Sequence, residues 1–250
     1  MNILKKIWWK CKQVLFLVGG KYRHTGERVC PEFPDENFDN HRKVYQFTGQ
    51  FVKGKTVLDV GCGTGYGSHY FATQGAKAVF GIDYAEDAIK YAKEKHSGIE
   101  FRTMDAQDIT YPGASFDVVI SSENLEHLHN PAACIAQIRR VLKNGGVLVL
   151  GTPNKEIASP GSEKSSNPFH IKEFSYEELE ALLKSHFRSV YIFENTLESS
   201  SPVGRKMKEE RRRKGKIGIE PGAAKSIQLR KLTVDLTHLH NTHSFTVLAW

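Results

Sequence analysis

The sequence predicts an α/β fold in which helices cover both faces of a mostly parallel sheet. From residue 55 onward, short apolar runs alternate with segments of helical period. Such alternation is typical of a parallel sheet, because each helix returns the chain to the edge where the next strand begins. A glycine-rich turn directly after the first apolar run supports this prediction, since open α/β sheets bind ligands at the carboxyl ends of their strands.

The first half of the sheet follows from four apolar runs. They predict strands at 56–60, 78–82, 99–103 and 116–121, with helices at 66–74 and 85–95 between the first three. Each run is rich in β-branched or aromatic residues and is bounded by turn residues, as strands are.

The second half follows from helix start and stop signals. A helix at 131–143 is expected to end at Asn144-Gly145-Gly146, before a strand at 146–151. Ser175 and Glu178 have the spacing of a capping box, which predicts a helix at 176–186. The remaining strands are predicted at 190–194 and 245–250, and residues 153–170 are expected to form a long loop over the sheet edge.

Length and composition exclude several classes of protein. With 250 residues, 40% apolar and 25% charged, the chain resembles an ordinary globular domain rather than a disordered chain, a collagen-like repeat or a membrane-spanning bundle. Its four cysteines (Cys11, Cys30, Cys62 and Cys134) form no CxxC pair. This spacing favours reduced thiols over a disulfide framework or a zinc site.

Residues 1–23 are predicted to form a basic amphipathic helix ahead of the main domain. They carry six Lys/Arg and no acid, and residues 1–18 have an apolar stripe at helical spacing with Trp8 and Trp9 at its middle. Such a helix can lie on a membrane surface or pack against the domain, and both alternatives stay open. Because no signal-peptide pattern is present, we expect a cytoplasmic protein. If the helix lies on a membrane, we expect it to bind the inner membrane face.

A second basic segment, at about 195–243, is expected to interrupt a domain that spans residues 24–250. It carries eleven Lys/Arg against five Asp/Glu, so the rest of the domain is net acidic. A uniformly basic nucleic-acid-binding domain is therefore excluded. The run 207–218 (MKEERRRKGKIG) predicts either a solvated loop or a lid or patch for an anionic partner.

The glycine-rich turn at 61–67 predicts the type of ligand. A dinucleotide fingerprint would need glycine at Tyr66 or Ser68, and the Lys-Ser/Thr pair of a phosphate-binding P-loop is missing. Asp59, two residues before Gly61, would repel a pyrophosphate and attract a cation. S-adenosylmethionine, which carries an ammonium and a sulfonium, is such a ligand.

Two further acids follow successive strands. Asp83 ends the second strand, where a carboxylate can accept hydrogen bonds from both hydroxyls of a ribose. Asp105 follows the third strand and could accept a hydrogen bond from an adenine amino group. Each acid alone could be an ordinary turn or capping residue. A glycine-rich turn, Asp83 and Asp105 in this order, each near the end of a successive strand, favour an adenosyl ligand.

At this point the sequence resembles a family. The segments VLDVGCGTGYG, GIDYAEDAI, MDAQDI, FDVVISSENLEHLHNP and IRRVLKNGGVLVLGTPN are similar to the successive motifs of class I S-adenosylmethionine-dependent methyltransferases, over roughly residues 50–195. The resemblance implies a Rossmann-like, seven-stranded, mostly parallel sheet with an antiparallel last strand. It also implies that the cofactor contacts Asp59, Gly61, Cys62, Gly63, Asp83, Tyr84, Asp105, Ala106, Ser121 and Ser122.

A narrower resemblance points to the acceptor. Segments 26–32, 41–45 and 167–174 look like those of bacterial methyltransferases that act on cell-surface sugars. Cys30 and the acidic run 34–39 depart from that pattern. The resemblance implies a saccharide or other small-molecule acceptor.

Three side chains are candidate catalytic bases, namely Glu123 and His127 after the fourth strand and His170 in the loop after the fifth. A hydroxyl acceptor needs a base within hydrogen-bond reach, and imidazole titrates near neutrality. Alternatively, Glu126 and His127 only cap or orient the helix near Pro131, and His170 is a loop hydrogen-bond donor.

We predict no metal site. His238, His240 and His243 have a spacing that could hold an ion, but only the first two would share a strand face. No carboxylate adjoins them except Asp235.

The sequence thus predicts a methyltransferase that uses S-adenosylmethionine on a small-molecule or saccharide acceptor, at a hydroxyl oxygen. The alternatives are an RNA acceptor, a quinone or lipid acceptor, and a partner subunit that binds the cofactor without catalysis. A nicotinamide-dependent oxidoreductase is disfavoured by Asp59 and the missing glycine. Nucleic acid is not an expected partner, and the sequence leaves the oligomeric state open.

Overall fold

The structure is a computed structural model that describes residues 36–195, 218–219, 226–229, 232–235 and 244–250. The predicted basic helix at 1–23, Cys11, Cys30 and the three histidines at 238, 240 and 243 lie outside the described residues. The domain boundaries therefore stay a prediction.

A mixed sheet forms the centre of the molecule. Five of its strands are parallel to one another: β1 (Thr56–Val60), β2 (Ala78–Asp83), β3 (Glu100–Thr103), β4 (Phe116–Ser122) and β5 (Leu142–Pro153). The others are β6 (Val190–Asn195), the two-residue β7 (Gly218–Ile219) and β10 (Ser244–Ala249). The strand order is β3-β2-β1-β4-β5-β10-β6-β7.

The last strand is antiparallel to both of its neighbours. β10 lies between β5 and β6, with Val247 opposite Leu150 on one side and Ile192 on the other. The seven-stranded, mostly parallel sheet with an antiparallel last strand is therefore confirmed, and β7 adds a short eighth strand parallel to β6.

Helices cover both faces of this sheet. They are α1 (Glu36–Gly49), α2 (Tyr66–Thr73), α3 (Glu86–Lys95), α4 (Pro131–Val141), the one-turn α5 (Lys155–Ala158) and α6 (Tyr176–Lys184). Apolar residues of α1 and α2, such as Phe47 and Phe71, pack in one core layer. Residues of α4 and α6, such as Ile138 and Leu183, pack in the other. None of the helices in the described ranges is both long and apolar enough to cross a lipid bilayer.

The junction between α4 and β5 differs from the prediction, and two elements end elsewhere than expected: α6 at Lys184 rather than at residue 186, and β5 at Pro153 rather than at residue 151. Helix α4 ends at Val141, before the Asn-Gly-Gly sequence, because Leu142 already pairs with Phe116 of β4. The register then shifts before Val118 pairs with Val147, and Gly145 adopts a φ of 78° in the irregular segment. The glycines therefore accommodate a bulge inside β5 rather than ending the helix.

Strands occur inside the basic segment that was expected to be a loop or lid. In addition to β7, β8 (Ser226–Leu229) and β9 (Leu232–Asp235) form an antiparallel pair of their own. Apolar residues alternate with polar ones in the sequence of both strands, as is common in strands. The pair was not predicted, because the charge run at 207–218 favours a loop.

The loop after β5 is closed at its base. Asn154 and Phe174 form an isolated parallel bridge, and the Lys155 N–H donates to the Phe174 carbonyl at 3.0 Å. Beyond it, α6 starts at the predicted capping box, in which Ser175 and Glu178 bond reciprocally at 3.2 and 3.0 Å. The loop is thus held between two fixed elements.

Candidate active site

The glycine-rich turn connects β1 to α2 and folds over the end of β2. Gly61, Gly63 and Gly65 have φ angles of 77°, 52° and 77°, which favour glycine. The Gly61 and Cys62 N–H groups both donate to the Ile82 carbonyl, at 2.8 and 2.9 Å. A Cβ on Gly61 would lie 2.8 Å from the Asn124 side chain, whereas one on Gly63 would meet no atom within 4 Å. The turn therefore packs against the protein at Gly61 and leaves open space at Gly63.

Asp59 lies beneath this turn and not on its open side. Its side chain is fully buried and accepts hydrogen bonds from the Ser68 hydroxyl at 2.6 Å and the Tyr45 hydroxyl at 3.1 Å. Burial raises the pKa of Asp59 to about 7, although both hydroxyl groups oppose this shift. In this structure Asp59 contacts two hydroxyl groups of the protein, and its assignment as a cofactor contact stays a prediction. Tyr45, which donates to Asp59, also lines the cavity described below.

Asp83 has the position that a ribose-binding acid requires. Its two carboxylate oxygens accept the Ala85 and Gly63 N–H groups, each at 2.8 Å. A carboxylate has about four acceptor positions, so two remain for a ligand. Tyr84, beside it, is 82% exposed and offers an aromatic face at the same opening.

The third acid is also held by local hydrogen bonds. Asp105 accepts from the Gln107 N–H at 2.8 Å and from the Gln107 side chain. The Gln107 oxygen in turn accepts from the Asn130 N–H, at 2.7 Å, just before α4. This chain of contacts fixes the segment after β3 against the start of α4.

These groups surround one cavity of about 570 Å³, a size typical of cofactor sites. Most of the predicted cofactor residues line it: Gly61, Cys62, Gly63, Asp83, Tyr84, Asp105, Ala106 and Ser122. Ser121 is fully buried behind the wall, where it accepts from the Asn124 amide at 3.1 Å, so it positions a lining residue rather than being one.

Glu123 lines the cavity in a strained conformation. Its φ is +48°, in the left-handed region that side chains rarely adopt. The Ser244 hydroxyl of β10 donates to its carboxylate at 2.7 Å. Burial, followed by the charge of Glu126, raises the pKa of Glu123 to about 8. Because such a carboxyl exchanges its proton near neutral pH, it suits acid–base chemistry.

The two candidate histidines lie side by side. Their ring centroids are 5.1 Å apart, and His127 lines the cavity while His170 stands behind it. His127 Nδ1 is 3.0 Å from the Phe169 carbonyl oxygen, and His170 Nδ1 is 2.8 Å from a carboxylate oxygen of Glu173. These contacts fix both rings.

The loop that carries His170 is tied to the turn that carries His127. The Glu126 carbonyl accepts from the Ile171 and Lys172 N–H groups at 2.8 and 3.1 Å. The Glu126 side chain is fully buried, and the Thr152 hydroxyl of β5 donates to its Oε2 at 3.0 Å.

Sequence analysis missed the contribution of α1 to the cavity. His41 and Tyr45 line it, together with Asn124 and His129 from the loop after β4. The only indication in the sequence that α1 has a role in the site is the similarity of residues 41–45 to a segment of bacterial sugar methyltransferases. Packing of α1 against the turn brings the side chains there, and no local pattern encodes that contact.

The comparisons with known proteins agree with this geometry. The family described as "Methyltransferase domain" matches residues 51–212. A protein of Mycolicibacterium smegmatis named "Probable S-adenosylmethionine-dependent methyltransferase" is 37% identical over 163 residues, which cover 64% of this chain and 63% of that protein. This chain thus matches less than two thirds of the length of that relative.

Other relatives differ in the acceptor that their names state. A ubiquinone biosynthesis O-methyltransferase of Thiobacillus denitrificans is 39% identical over 43% of this chain and 48% of its own. A phosphoethanolamine N-methyltransferase of Zea mays is 33% identical over 50% of this chain and 25% of its own. The crystal structure of an S-adenosylmethionine-dependent methyltransferase of Archaeoglobus fulgidus has a TM-score of 0.55 at 22% identity, over 84% of this chain and 91% of that one, and shows the same fold.

Proposed function

Since this chain belongs to the class I S-adenosylmethionine-dependent methyltransferases, we propose that it methylates a hydroxyl oxygen of a small-molecule or saccharide acceptor. The observation that carries the proposal is that one cavity is lined by both the cofactor-type residues and two proton acceptors, Glu123 and His127. Methyl transfer to a hydroxyl needs both sets of groups.

The cofactor half of the cavity fits S-adenosylmethionine. The free acceptor positions of Asp83 suit two ribose hydroxyls, and Asp105 can accept from the adenine amino group. The open space over Gly63 leaves room for the methionine end. When bound, the cofactor supplies an electrophilic methyl group on a sulfonium.

The acceptor half provides a route for the proton. A hydroxyl must lose its proton as the oxygen gains a methyl group, so a base must lie within hydrogen-bond reach. His127 and the ionised form of Glu123 line the cavity and can each take that proton. An amine acceptor would make less use of such a pair of groups.

The remaining wall favours a polar acceptor. His41, Asn124 and His129 add donors and acceptors to those of Glu123 and His127. Such a wall suits the several hydroxyls of a sugar better than a lipid chain. A phenol is the second candidate, because of the similarity to the ubiquinone biosynthesis O-methyltransferase.

An acceptor screen tests the proposal. Purified protein would be incubated with labelled S-adenosylmethionine and, separately, monosaccharides and oligosaccharides, catechols, fatty acids, phosphoethanolamine and RNA. We expect label in a saccharide, as a methyl ether that survives mild alkali. An alkali-labile ester, an N-methyl product or labelled RNA would contradict the proposal, and a labelled catechol would favour the phenol.

A binding measurement tests the non-catalytic alternative separately. We expect S-adenosylhomocysteine to bind in calorimetry with a stoichiometry of one. Cofactor binding without methylation of any acceptor in the screen would favour a partner subunit, whereas absence of binding would contradict the cofactor assignment itself.

A further inference from the structure

Three metal-ligating side chains converge beside the acceptor half of the cavity. They are Glu126 and His127, in the 3₁₀ turn Leu125–His127, and His170, which the loop after β5 brings next to them. We propose that these three residues bind one divalent transition metal ion, of the zinc or manganese type. Binding of the ion does not depend on the proposed function, but its role in orienting an acceptor oxygen does.

The distances are close to those of a metal centre. One ligand atom from each residue lies within 4.8 Å of the other two, and Glu126 Oε1 is 3.8 Å from His127 Nε2. In a tetrahedral site with bonds of about 2.0–2.2 Å, neighbouring ligand atoms lie about 3.3–3.6 Å apart. The Glu126–His127 pair is already near this separation, and His170, on the loop, has to move closer by about 1 Å for one ion to reach all three residues.

The surroundings orient each ligand atom. The Nδ1–H of His127 donates to the Phe169 carbonyl, so its lone pair is on Nε2. The Nδ1–H of His170 likewise donates to the Glu173 carboxylate, which places the lone pair of His170 on Nε2. Metal-binding histidines are usually oriented by such a carbonyl or carboxylate partner. The Thr152 hydroxyl donates to Glu126 Oε2, and the other carboxylate oxygen, Oε1, lies on the side of His127.

One contact has to change when the ion binds. The Asn167 amide nitrogen lies 2.9 Å from His170 Nε2 and donates to the lone pair that a metal would use. Asn167 belongs to the loop, so rotation of its amide group exposes His170 Nε2 without moving a strand, and the hydrogen bond from the Phe169 N–H to Asn167 Oδ1, at 3.1 Å, changes with it.

Two imidazoles and one carboxylate leave a coordination position open, as catalytic zinc sites do. His127 and Glu123 both line the cavity, so an open position beside His127 faces it. A metal-bound hydroxyl is more acidic than a free one, so the ion would hold the acceptor oxygen and help it to lose its proton.

Metal titration of the full chain tests this site. After treatment with a chelator, the protein would be titrated with Co²⁺ by visible absorption and with Zn²⁺ by calorimetry. We expect one ion per chain, and we expect His127→Ala, His170→Ala and Glu126→Gln each to weaken binding at least tenfold. A wild-type chain that binds neither ion, or a His170→Ala variant that binds as tightly as wild type, would overturn the proposal.

The controls separate this site from other histidines. Two single variants should leave the metal affinity unchanged: His129→Ala, in an exposed histidine of the loop after β4, and His96→Ala, in a half-buried histidine that stacks on His69. Combined replacement of His238, His240 and His243 by alanine should also leave it unchanged, and loss of binding in that variant alone would assign the ion to those residues instead. Because Glu126 is buried, its variant counts only if its circular dichroism and melting temperature match wild type.

The same preparations distinguish the two proposals. Metal binding is measured without cofactor or acceptor, and S-adenosylhomocysteine binding is measured without metal. A chain that binds S-adenosylhomocysteine and methylates a saccharide but binds no metal would refute the metal site alone. One ion bound through the three residues, with no methylated acceptor, would refute the proposed function alone.

Discussion

Asp83 contributes to the site through both of its oxygens, each already fixed by one backbone N–H at 2.8 Å. Replacement by alanine removes the acceptors for the ribose and also releases the turn at Gly63. We expect Asp83→Ala to weaken S-adenosylhomocysteine binding by about 1–3 kcal/mol, or roughly 5- to 150-fold, in calorimetry.

The control for this prediction is Asp108→Ala. Asp108 is exposed and follows the same strand as Asp105, but it does not line the cavity. Its replacement should leave the affinity unchanged. Equal affinities for Asp83→Ala and wild type would mean that the ribose binds elsewhere.

Asp59 should make the stability of the protein depend on pH. Its native pKa of about 7 lies above the ordinary value of 3.8, so the native state retains a proton that the unfolded chain loses between about pH 4 and pH 7. The free energy of unfolding should therefore fall as the pH rises through this window, by about 4 kcal/mol for this group. Urea unfolding at pH values from about 4 to about 8 covers this window and measures the fall.

Asp59→Asn cannot ionise, so its unfolding free energy should lose this part of the pH dependence. Asp108→Asn, at an exposed position, should keep the wild-type profile. Parallel profiles for Asp59→Asn and wild type would show that the buried carboxyl does not hold a proton at neutral pH.

At the scale of elements, strands were more predictable than the contacts between them. Strands β1 and β2 were predicted to within one residue, because apolar runs between turn residues encode burial locally. Helix α1 was not predicted, since its first half is polar and only residues such as Val44 and Phe47 are buried. The start of β5 at Leu142 depends on pairing with β4, which the sequence of β5 alone does not encode.

The site was predictable where it follows strand ends. Asp83 ends β2 and Asp105 lies two residues beyond β3, so topology alone brings them together. The approach of His170 to His127, 43 residues earlier, depends on how the loop packs and could not be read from spacing. The burial of Asp59 likewise depends on Tyr45 of α1, which has no counterpart in the turn motif.

The capping box of α6 gives a prediction at this scale. The Ser175 hydroxyl accepts the Glu178 N–H, one of the donors at a helix start that no helical carbonyl can satisfy. We expect Ser175→Ala to lower the free energy of unfolding by about 1 kcal/mol and Ser175→Thr to preserve most of it. Urea unfolding with an unchanged m-value measures both, and equal losses for the two variants would contradict the role of the hydroxyl.

At the scale of the whole molecule, charge is segregated. The two basic segments at 1–23 and 195–243 flank an acidic body. If residues 1–18 lie on a membrane surface, the full chain should bind vesicles of anionic phospholipid, and binding should weaken with added salt. Co-sedimentation with anionic and with neutral vesicles measures this.

Two variants identify the segment responsible. Combined Trp8→Ser and Trp9→Ser should weaken vesicle binding, whereas serine at Arg211, Arg212 and Arg213 should leave most of it. The opposite result would assign the attraction to the basic segment before the last strand. Binding to neither vesicle would favour a first helix that packs on the domain.

The closed base of the loop between Asn154 and Phe174 has an evolutionary consequence. Because its ends already meet, its interior can change in length and sequence at little cost to strand pairing. Homologous proteins can therefore differ in this one segment while the strands that carry the donor-binding residues stay paired.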